Sequence, residues 1–219
     1  YKSGRFPGKP LENILGKPMV IRVAEIAEKA VGKQNVYVAT DDLRIKNVVE
    51  NSGYNVIMTS PEHPCCTDRV AEAAYHLDAD IIVNLQGDEP MLNPNEITLA
   101  INAKQQYPGY VINCAADLQD FEKPENRNII KMAMGLTDNL VCASRNPIPV
   151  EKSGNAPICK KQVCIYVYNK EELKLFLDQG TTPLEGVEEV DILRFLEMGV
   201  PVKIINVSGD SHAVDVPGD

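Results

Sequence analysis

Residues 81–90 have the sequence IIVNLQGDEP and join a fully apolar run to a polar turn. The run Ile81-Ile82-Val83 contains no alternating polar residue, and this pattern is typical of a strand that is covered on both faces of a parallel sheet. We therefore predict a central parallel strand here. In open parallel sheets, ligands bind beyond the carboxyl ends of the strands, so residues 84–90 are the first candidates for a functional site.

Before this strand, short β-rich runs alternate with helical patterns. Apolar residues recur at helical spacing as far as Gly32, a residue that tolerates the left-handed conformation at a helix end. The predicted elements are helices over 19–30, 43–53 and 67–77 and strands over 36–40 and 56–58. Strands that alternate with helices indicate an α/β protein with a doubly wound, mostly parallel sheet.

The pattern changes after the central strand, where strand-like runs follow one another without full-length helices between them. These runs are 111–114, 129–132, 140–142 and 163–166. We predict that they form an antiparallel sub-sheet inserted over about 108–168. Helices over 170–177 and 184–198 and a strand over 202–207 return to the first pattern. Without a repeat or a linker, residues 1–219 are predicted to form a single domain.

The composition is that of an ordinary soluble globular chain, with 219 residues, 44% hydrophobic and 24% charged. Its 22 basic and 31 acidic residues give a net charge of −9 without a basic cluster, so we expect no nucleic-acid partner. The uncharged stretches fall far short of the ~20 apolar residues that span a bilayer. We therefore expect no membrane insertion.

Six cysteines occur, none of them in a C-x-x-C pair, and the three histidines are scattered. This disfavours structural zinc, and a chain of this length can bury enough apolar surface without disulfides. We therefore expect free thiols and a cytoplasmic location. The chain begins at Tyr1 without a signal-peptide pattern and stops at Asp219 within a turn, so we expect both ends to be trimmed.

The loop of residues 3–10 is a candidate anion site. Its two glycines permit close backbone approach, and Arg5 and Lys9 bring two cations to one loop, which suits a polyphosphate. Pro10 follows Lys9, so the loop is not a P-loop. An ordinary Gly/Pro turn with solvated charges explains the same residues equally well.

Two acidic residues are candidate metal ligands. Asp88 follows the central strand, where a carboxylate is costly unless a cation meets it, and Mg²⁺ bound to substrate phosphates is the usual partner. The alternative is a turn that only precedes a helix starting at 93–95. Asp215 follows the last predicted strand and could approach the same ion.

These segments resemble those of the 3-deoxy-manno-octulosonate (Kdo) cytidylyltransferases, or CMP-Kdo synthetases. The similar motifs run through the whole chain, at 1–11, 16–19, 38–42, 58–60, 67–72, 84–90, 144–149, 183–185 and 214–215. The resemblance implies a Rossmann-like nucleotidyltransferase that uses Mg²⁺ and CTP. It implies transfer of CMP to the anomeric hydroxyl of a 2-keto-3-deoxy sugar acid, with release of pyrophosphate, in lipopolysaccharide biosynthesis.

The resemblance also implies residue roles. Nucleotide-binding residues would be Ser3, Arg5, Lys9, Cys65, Cys66, Asp68 and Arg69. Catalytic residues would be Lys9, Asp88 and Asp215, with the two aspartates holding Mg²⁺. Sugar-binding residues would be Gln86, Arg145, Gln162 and Glu188, with the planar fork of Arg145 suited to a carboxylate. Two alternatives remain open: Asp68 and Arg69 could form an ion pair that positions the loop beneath the cytosine, and Glu188 could be a solvated helix charge.

The sequence departs from the family pattern at several positions. Cys65-Cys66 replace a Ser-Gly or Thr-Gly pair, and Gln162 and Ile192 replace a His and a Gln on the sugar side. An acylneuraminate or amino-Kdo substrate therefore remains open, as does a non-catalytic nucleotide-binding homologue. A glycosyltransferase is disfavoured, because the D-x-D of residues 78–80 precedes its strand.

The resemblance further suggests a homodimer formed through the inserted sub-sheet. The apolar runs around 129–132 and 163–167 would otherwise leave an exposed patch, and such patches typically mark an interface. We therefore expect these two runs to lie at the dimer surface.

Overall fold

The computed structural model describes residues 6–153, 159–214 and 218. Three predicted site residues, Ser3, Arg5 and Asp215, lie outside the described residues. In chain order the elements are a 3₁₀ helix (Lys9–Leu11), β1 (Asn13–Ile14), β2 (Lys17–Pro18), α1 (Met19–Val31), a second 3₁₀ helix (Lys33–Asn35), β3 (Tyr37–Thr40), α2 (Leu43–Asn51), β4 (Asn55–Met58), α3 (Cys66–Tyr75), β5 (Ile82–Leu85), α4 (Pro94–Gln106), β6 (Val111–Asp117), β7 (Lys131–Met134), β8 (Leu140–Ser144), β9 (Lys160–Tyr168), α5 (Lys170–Gln179), α6 (Pro183–Glu188), α7 (Ile192–Glu197) and β10 (Val202–Asn206).

The main sheet is mixed and has the strand order β10-β6-β9-β7-β8, with β5 paired to β9 off this path. β10 runs parallel to β6, whereas β5, β6 and β7 are all antiparallel to β9. A parallel pair, β3 and β4, forms a separate two-stranded sheet. The predicted α/β class is confirmed, and the four predicted strands of the antiparallel sub-sheet occur as β6, β7, β8 and β9.

The centre of the main sheet is β9, whereas the sequence predicted β5 there. Within the described part of the chain, β5 pairs only with β9, from Ile82 opposite Tyr168 to Leu85 opposite Ile165, and the pair is antiparallel. The prediction of parallel neighbours around β5 is therefore wrong for these residues. The uniformly apolar sequence of β5 indicates that the strand is covered. It carries no information on whether the neighbouring strands run parallel or antiparallel to β5.

Helices cover both faces of the sheet, as expected for a doubly wound fold. Tyr166 and Tyr168 of β9 pack in one cluster with residues of α3, α5 and α7. Val163, Ile165 and Val167 pack in a second cluster with residues of α1 and α4. The expectation that 163–167 form an exposed patch is therefore wrong, because helices of the same chain cover that run.

The helix predicted over 184–198 is two helices, α6 and α7. Glu189 ends α6 in the left-handed conformation, with φ of 52°. A capping box of Thr182 and Glu185 begins α6, since each side chain bonds the backbone of the other residue. The break separates Glu188 from Asp191, and these two carboxylates contact different parts of the candidate site.

The helices of the described residues include none that is long and apolar enough to cross a membrane. All six cysteines are free thiols.

Candidate active site

A cleft of about 680 Å³ lies between α1, β3 and β5 and reaches the turn that follows β5. Much of its wall is apolar, including Val38 of β3 and Val83 of β5. A triphosphate requires cations and hydrogen-bond donors, so only the polar end of the cleft suits a nucleotide. That end is lined by Pro10, Thr40, Cys66, Arg69, Gln86, Gly87 and Asp88.

Lys9 and Asp88, both predicted from the sequence, meet at this end. Lys9 Nζ donates to Asp88 Oδ2 at 2.9 Å, and both side chains are partly buried. The other carboxylate oxygen, Asp88 Oδ1, is buried and has no hydrogen-bond partner among the described residues. An unpaired buried anionic oxygen is costly, and a hard cation such as Mg²⁺ prefers oxygen ligands, so this atom fits a metal ligand.

Hydrogen bonds from residues 208–214 hold this segment against the turn that carries Asp88 and against α4. Val214 N donates to Asp88 O at 2.8 Å. Ser208 donates to buried Glu96 through its backbone N and its Oγ, at 2.9 and 2.6 Å. Ser211 Oγ donates to Glu89, whose burial raises its pKa. Val214 precedes Asp215, so these contacts bring the chain to Asp88 immediately before the predicted second metal ligand.

The N-terminus of α3 is held by thiol–carboxylate contacts. Cys65 Sγ donates to Asp68 Oδ2 at 3.0 Å, and Cys66 Sγ donates to Asp191 Oδ2 at 3.2 Å. Thr67 also donates to Asp191, through its backbone N at 3.1 Å and its Oγ1 at 2.8 Å. Burial raises the pKa of both thiols well above the ordinary value. Both cysteines therefore stay protonated, which disfavours redox reactivity.

Asp68 is buried, and its partner is Arg194 of α7. Arg194 Nη1 and Nη2 donate to Asp68 at 2.8 and 3.2 Å, and Nε donates to Glu185 at 2.7 Å. The alternative of an Asp68–Arg69 ion pair is therefore wrong, because Asp68 is committed to Arg194. Sequence reasoning assigned no role to Arg194, although a charged residue next to apolar Leu193 and Phe195 was an available signal of a buried ion pair.

The ligand atoms of Cys65, Glu185 and Asp191 lie within 4.8 Å of one another, a spacing that could hold a metal ion. Arg194 already binds Glu185, with Nη2 2.6 Å from Oε1. Because the guanidinium supplies the positive charge there, we do not assign a metal to this cluster.

Arg69 faces the cleft from α3. Its guanidinium donates to Thr59 Oγ1 and to Ser60 O, and Nη2 lies 3.6 Å from an oxygen of Asp41. These contacts hold Arg69 against the ends of β3 and β4, at the polar end of the cleft. The nucleotide-binding role of Arg69 stays a prediction.

Arg145 and Glu188 form a second group. Glu188 accepts from Ser144 Oγ at 2.8 Å and from Arg145 N at 2.9 Å, so the alternative of a solvated helix charge is wrong. The Arg145 guanidinium donates to carbonyl oxygens of Arg127, Glu188 and Glu189. Three of its N–H directions are thus engaged by backbone, which fixes the orientation of the side chain.

Buried Lys131 supports the same group from β7. Its Nζ donates to Asn126 O at 2.9 Å, to Ile129 O at 2.7 Å and to Arg145 O. Burial lowers the pKa of Lys131. The ammonium gathers three carbonyls and so fixes the backbone of Arg145. This residue was not predicted, since nothing local in the sequence marks its acceptors.

The two predicted glutamines lie in different places. Gln86 Nε2 donates to Cys66 Sγ at 3.3 Å, at the polar end of the cleft. Gln162 is part of β9 and donates to Asn113 Oδ1 at 2.8 Å, while its Oε1 is buried without a partner in the described part of the chain. Asn113 in turn donates to Val163 O and Ile165 O, where the β6–β9 register shifts.

The α/β fold, together with a lysine–carboxylate pair and a polar cleft beyond a strand end, fits the class of the nucleotidyltransferases. The family model described as Cytidylyltransferase matches residues 1–204, and the chain belongs to this family. The predicted family and enzyme class are thereby confirmed.

Relatives and solved structures give a narrower comparison. The chain is 38% identical to 3-deoxy-manno-octulosonate cytidylyltransferase of Geobacter metallireducens, over the whole chain and 91% of that relative. It is 36% identical, with the same shares covered, to 8-amino-3,8-dideoxy-manno-octulosonate cytidylyltransferase of Shewanella halifaxensis. The solved CMP:2-keto-3-deoxy-manno-octonic acid synthetase complexed with CTP is 32% identical, with a TM-score of 0.90 over 99% of this chain and 90% of that chain.

A more distant structure shares the fold alone. A putative glucose-1-phosphate thymidylyltransferase from Bacillus anthracis has a TM-score of 0.69 at 13% identity, over the whole chain and 88% of that chain.

Proposed function

We propose that this cytidylyltransferase transfers CMP from CTP to the anomeric hydroxyl of Kdo or of its 8-amino analogue, releasing pyrophosphate. The similarity to enzymes named for both sugars and to a synthetase complexed with CTP supports the substrates. The observation that carries the mechanism is the Lys9–Asp88 pair at the end of β5, where Asp88 Oδ1 is left without a partner among the described residues.

In this proposal, the nucleotide is bound by the loop of residues 3–10 and by the start of α3. Lys9 and Arg5 neutralise the triphosphate, and Arg69 and the Cys65-Cys66 turn face the base. Asp88 and Asp215 would hold Mg²⁺, which when bound would offset the charge that develops on pyrophosphate. Support for Asp215 comes from Val214, which donates to the carbonyl of Asp88 at 2.8 Å.

The second group binds the sugar acid. Arg145 has N–H groups left after its three carbonyl contacts, and these would meet the sugar carboxylate. Glu188, Gln86 and Gln162 would contact sugar hydroxyls. Kdo and its 8-amino analogue differ at one substituent, and relatives named for each have nearly the same identity to this chain.

The proposal also includes a homodimer in a reducing cytoplasm. Leu136 and Val141, at the β7–β8 hairpin, are strongly exposed, and an apolar surface of this kind fits an interface between two copies. Six free thiols fit a reducing compartment. Light scattering should give twice the chain mass at micromolar concentration, and a monomer would contradict the dimer.

The test of the reaction is pyrophosphate release from CTP with Mg²⁺ and one sugar at a time. The panel contains Kdo, 8-amino-Kdo, N-acetylneuraminate and a control without sugar. Release with Kdo or 8-amino-Kdo supports the proposal and selects the substrate. Release only with N-acetylneuraminate would show that the substrate is an acylneuraminate and not Kdo or its 8-amino analogue. CTP binding by calorimetry without release for any sugar would favour a non-catalytic homologue.

A further inference from the structure

We infer that Cys66 is a positioning residue that fixes the orientation of the Gln86 side-chain amide, so that the carbonyl oxygen of Gln86 faces the sugar. The inference deepens the proposed function and rests on it for the identity of the ligand. In the bound state, this oxygen accepts a hydrogen bond from a hydroxyl or ammonium group of the sugar.

The direction of the Cys66 hydrogen is set by Asp191. This carboxylate oxygen already accepts from Thr67 N and Thr67 Oγ1, at 3.1 and 2.8 Å, so it is firmly held. The Cys66 sulfur lies 3.2 Å from the same oxygen. A buried thiol beside a carboxylate stays protonated, and burial followed by the charge of Asp191 raises the pKa of Cys66. A thiol has one hydrogen, which Asp191 receives.

The sulfur can then act only as an acceptor toward its other neighbours. Gln86 Nε2 lies 3.3 Å from it, and Asn84 Nδ2 lies 3.9 Å from it. Amide oxygen and nitrogen are assigned from the surrounding hydrogen bonds, and here an oxygen facing the sulfur would place two acceptors in contact. The network therefore requires the Gln86 NH₂ group to face Cys66.

This orientation leaves the Gln86 oxygen available. Gln86 is half-buried and lines the polar end of the cleft, and its Oε1 has no hydrogen-bond partner within the described residues. A fixed acceptor beside Asp88 selects a ligand that presents a donor. Without Cys66, the amide could rotate and present either end, so a donor-bearing ligand would lose part of its affinity.

The kinetic test compares Cys66→Ala with Cys66→Ser. Cys66→Ala should raise the KM for the sugar about three- to tenfold, the range for one hydrogen bond. Cys66→Ser keeps one donor and one acceptor and should restore the wild-type KM. Cys142→Ser, whose thiol donates to Ala143 O at 3.6 Å, controls for removal of a thiol. Equal sugar KM values in Cys66→Ala and wild type would overturn the inference.

A double-mutant cycle asks whether Cys66 acts through Gln86. In a Gln86→Ala background, Cys66→Ala should cause no further rise in the sugar KM, because the amide it positions is gone. Additive effects would show that Cys66 acts by another route and would overturn the inference.

A spectroscopic readout separates this inference from the proposed reaction. The side-chain NH₂ resonances of Gln86, assigned by their loss in Gln86→Ala, should shift in Cys66→Ala and return in Cys66→Ser without any substrate present. Unchanged resonances in Cys66→Ala would overturn the inference even if the wild type releases pyrophosphate. If the wild type releases no pyrophosphate with any sugar, but the Gln86 resonances shift in Cys66→Ala, only the proposed function is overturned.

Discussion

Arg194 of α7 donates two hydrogen bonds to Asp68 of α3, at 2.8 and 3.2 Å, across 126 residues of sequence. The same guanidinium binds Glu185 of α6, and Arg194 is fully buried. Asp68 lies in the first turn of the helix that begins at Cys66, and Glu185 lies in the helix that ends at Glu188. One buried cation thus joins α3, which carries the proposed nucleotide-binding residues, to α6, which ends at the proposed sugar-binding residue Glu188.

Arg194→Met should strongly destabilise the fold. It leaves the carboxylates of Asp68 and Glu185 buried without a cation, and breaking a buried ion pair from one side typically costs about 3–5 kcal/mol. Urea denaturation measures the loss. Lys174→Met is the matched control, because its pair with Asp178 is exposed and should matter by less than about 1 kcal/mol. Equal urea midpoints for Arg194→Met and Lys174→Met would show that the Arg194 network stabilises the fold no more than an exposed ion pair does.

The local elements of the fold follow from the sequence because their signals are local. The helix over 19–30 and the strand over 36–40 appear as α1 and β3 with small shifts at their ends. Asp88 was recognised as a candidate because a carboxylate after a buried strand needs a partner, and Lys9 lies 2.9 Å away. The free-energy cost of an unpaired carboxylate at the end of a buried strand can be recognised from a short stretch of sequence.

Features that depend on contacts between residues far apart in the sequence could not be predicted in the same way. The helix predicted over 184–198 breaks at Glu189, a residue that carries no helix-ending signal, while Gly186 lies inside α6. The break is stabilised by distant partners, since Asp191 bonds Thr67 and the carbonyl of Glu189 accepts from Arg145. Periodicity reports which residues are apolar, but it does not report which carbonyls will meet a distant side chain.

Asp88→Asn should lower the rate of pyrophosphate release by about 100-fold or more, because the neutral amide cannot replace an anionic oxygen as a ligand of a hard cation. Chelation of divalent ions should abolish wild-type activity, and added Mg²⁺ should restore it. The measurement is the initial rate as a function of Mg²⁺ concentration, with thermal unfolding as the check on the fold.

Asp80→Asn is the matched control for that experiment, because Asp80 precedes β5 whereas Asp88 follows it. The control should retain the wild-type rate and metal dependence. Near-wild-type turnover of Asp88→Asn at saturating Mg²⁺ would show that the metal assignment is wrong.

Lys131→Met should impair the sugar side selectively. The change removes the donor that three partly buried carbonyls share, including that of Arg145, and a fully buried unsatisfied group costs about 1–3 kcal/mol. We expect lower stability and a higher KM for the sugar at an unchanged KM for CTP. Steady-state kinetics with each substrate varied in turn measures the split, and exposed Lys123→Met is the control. A parallel rise in both KM values would argue against selective support of Arg145.

Glu89→Gln should change how stability depends on pH. Burial is the main cause that raises the pKa of Glu89 above 4.5, and the charge of Asp88 adds to it against the hydrogen bond from Ser211. Because the folded state binds this proton more tightly, the contribution is fully present below the unfolded pKa and is lost as pH rises through the higher folded pKa. Each unit of that shift corresponds to about 1.4 kcal/mol.

Glutamine cannot ionise, so the stability of the wild type relative to Glu89→Gln should fall as pH rises above about 4 and through the raised folded pKa of Glu89. Urea denaturation at constant ionic strength measures both proteins across this range, and exposed Glu62→Gln controls for the loss of a carboxylate. Above the folded pKa, the ionised Glu89 stays buried beside Asp88, so the cost should reach a plateau there. Stability curves for wild type and Glu89→Gln that run parallel across the range would contradict a folded-state pKa raised by burial.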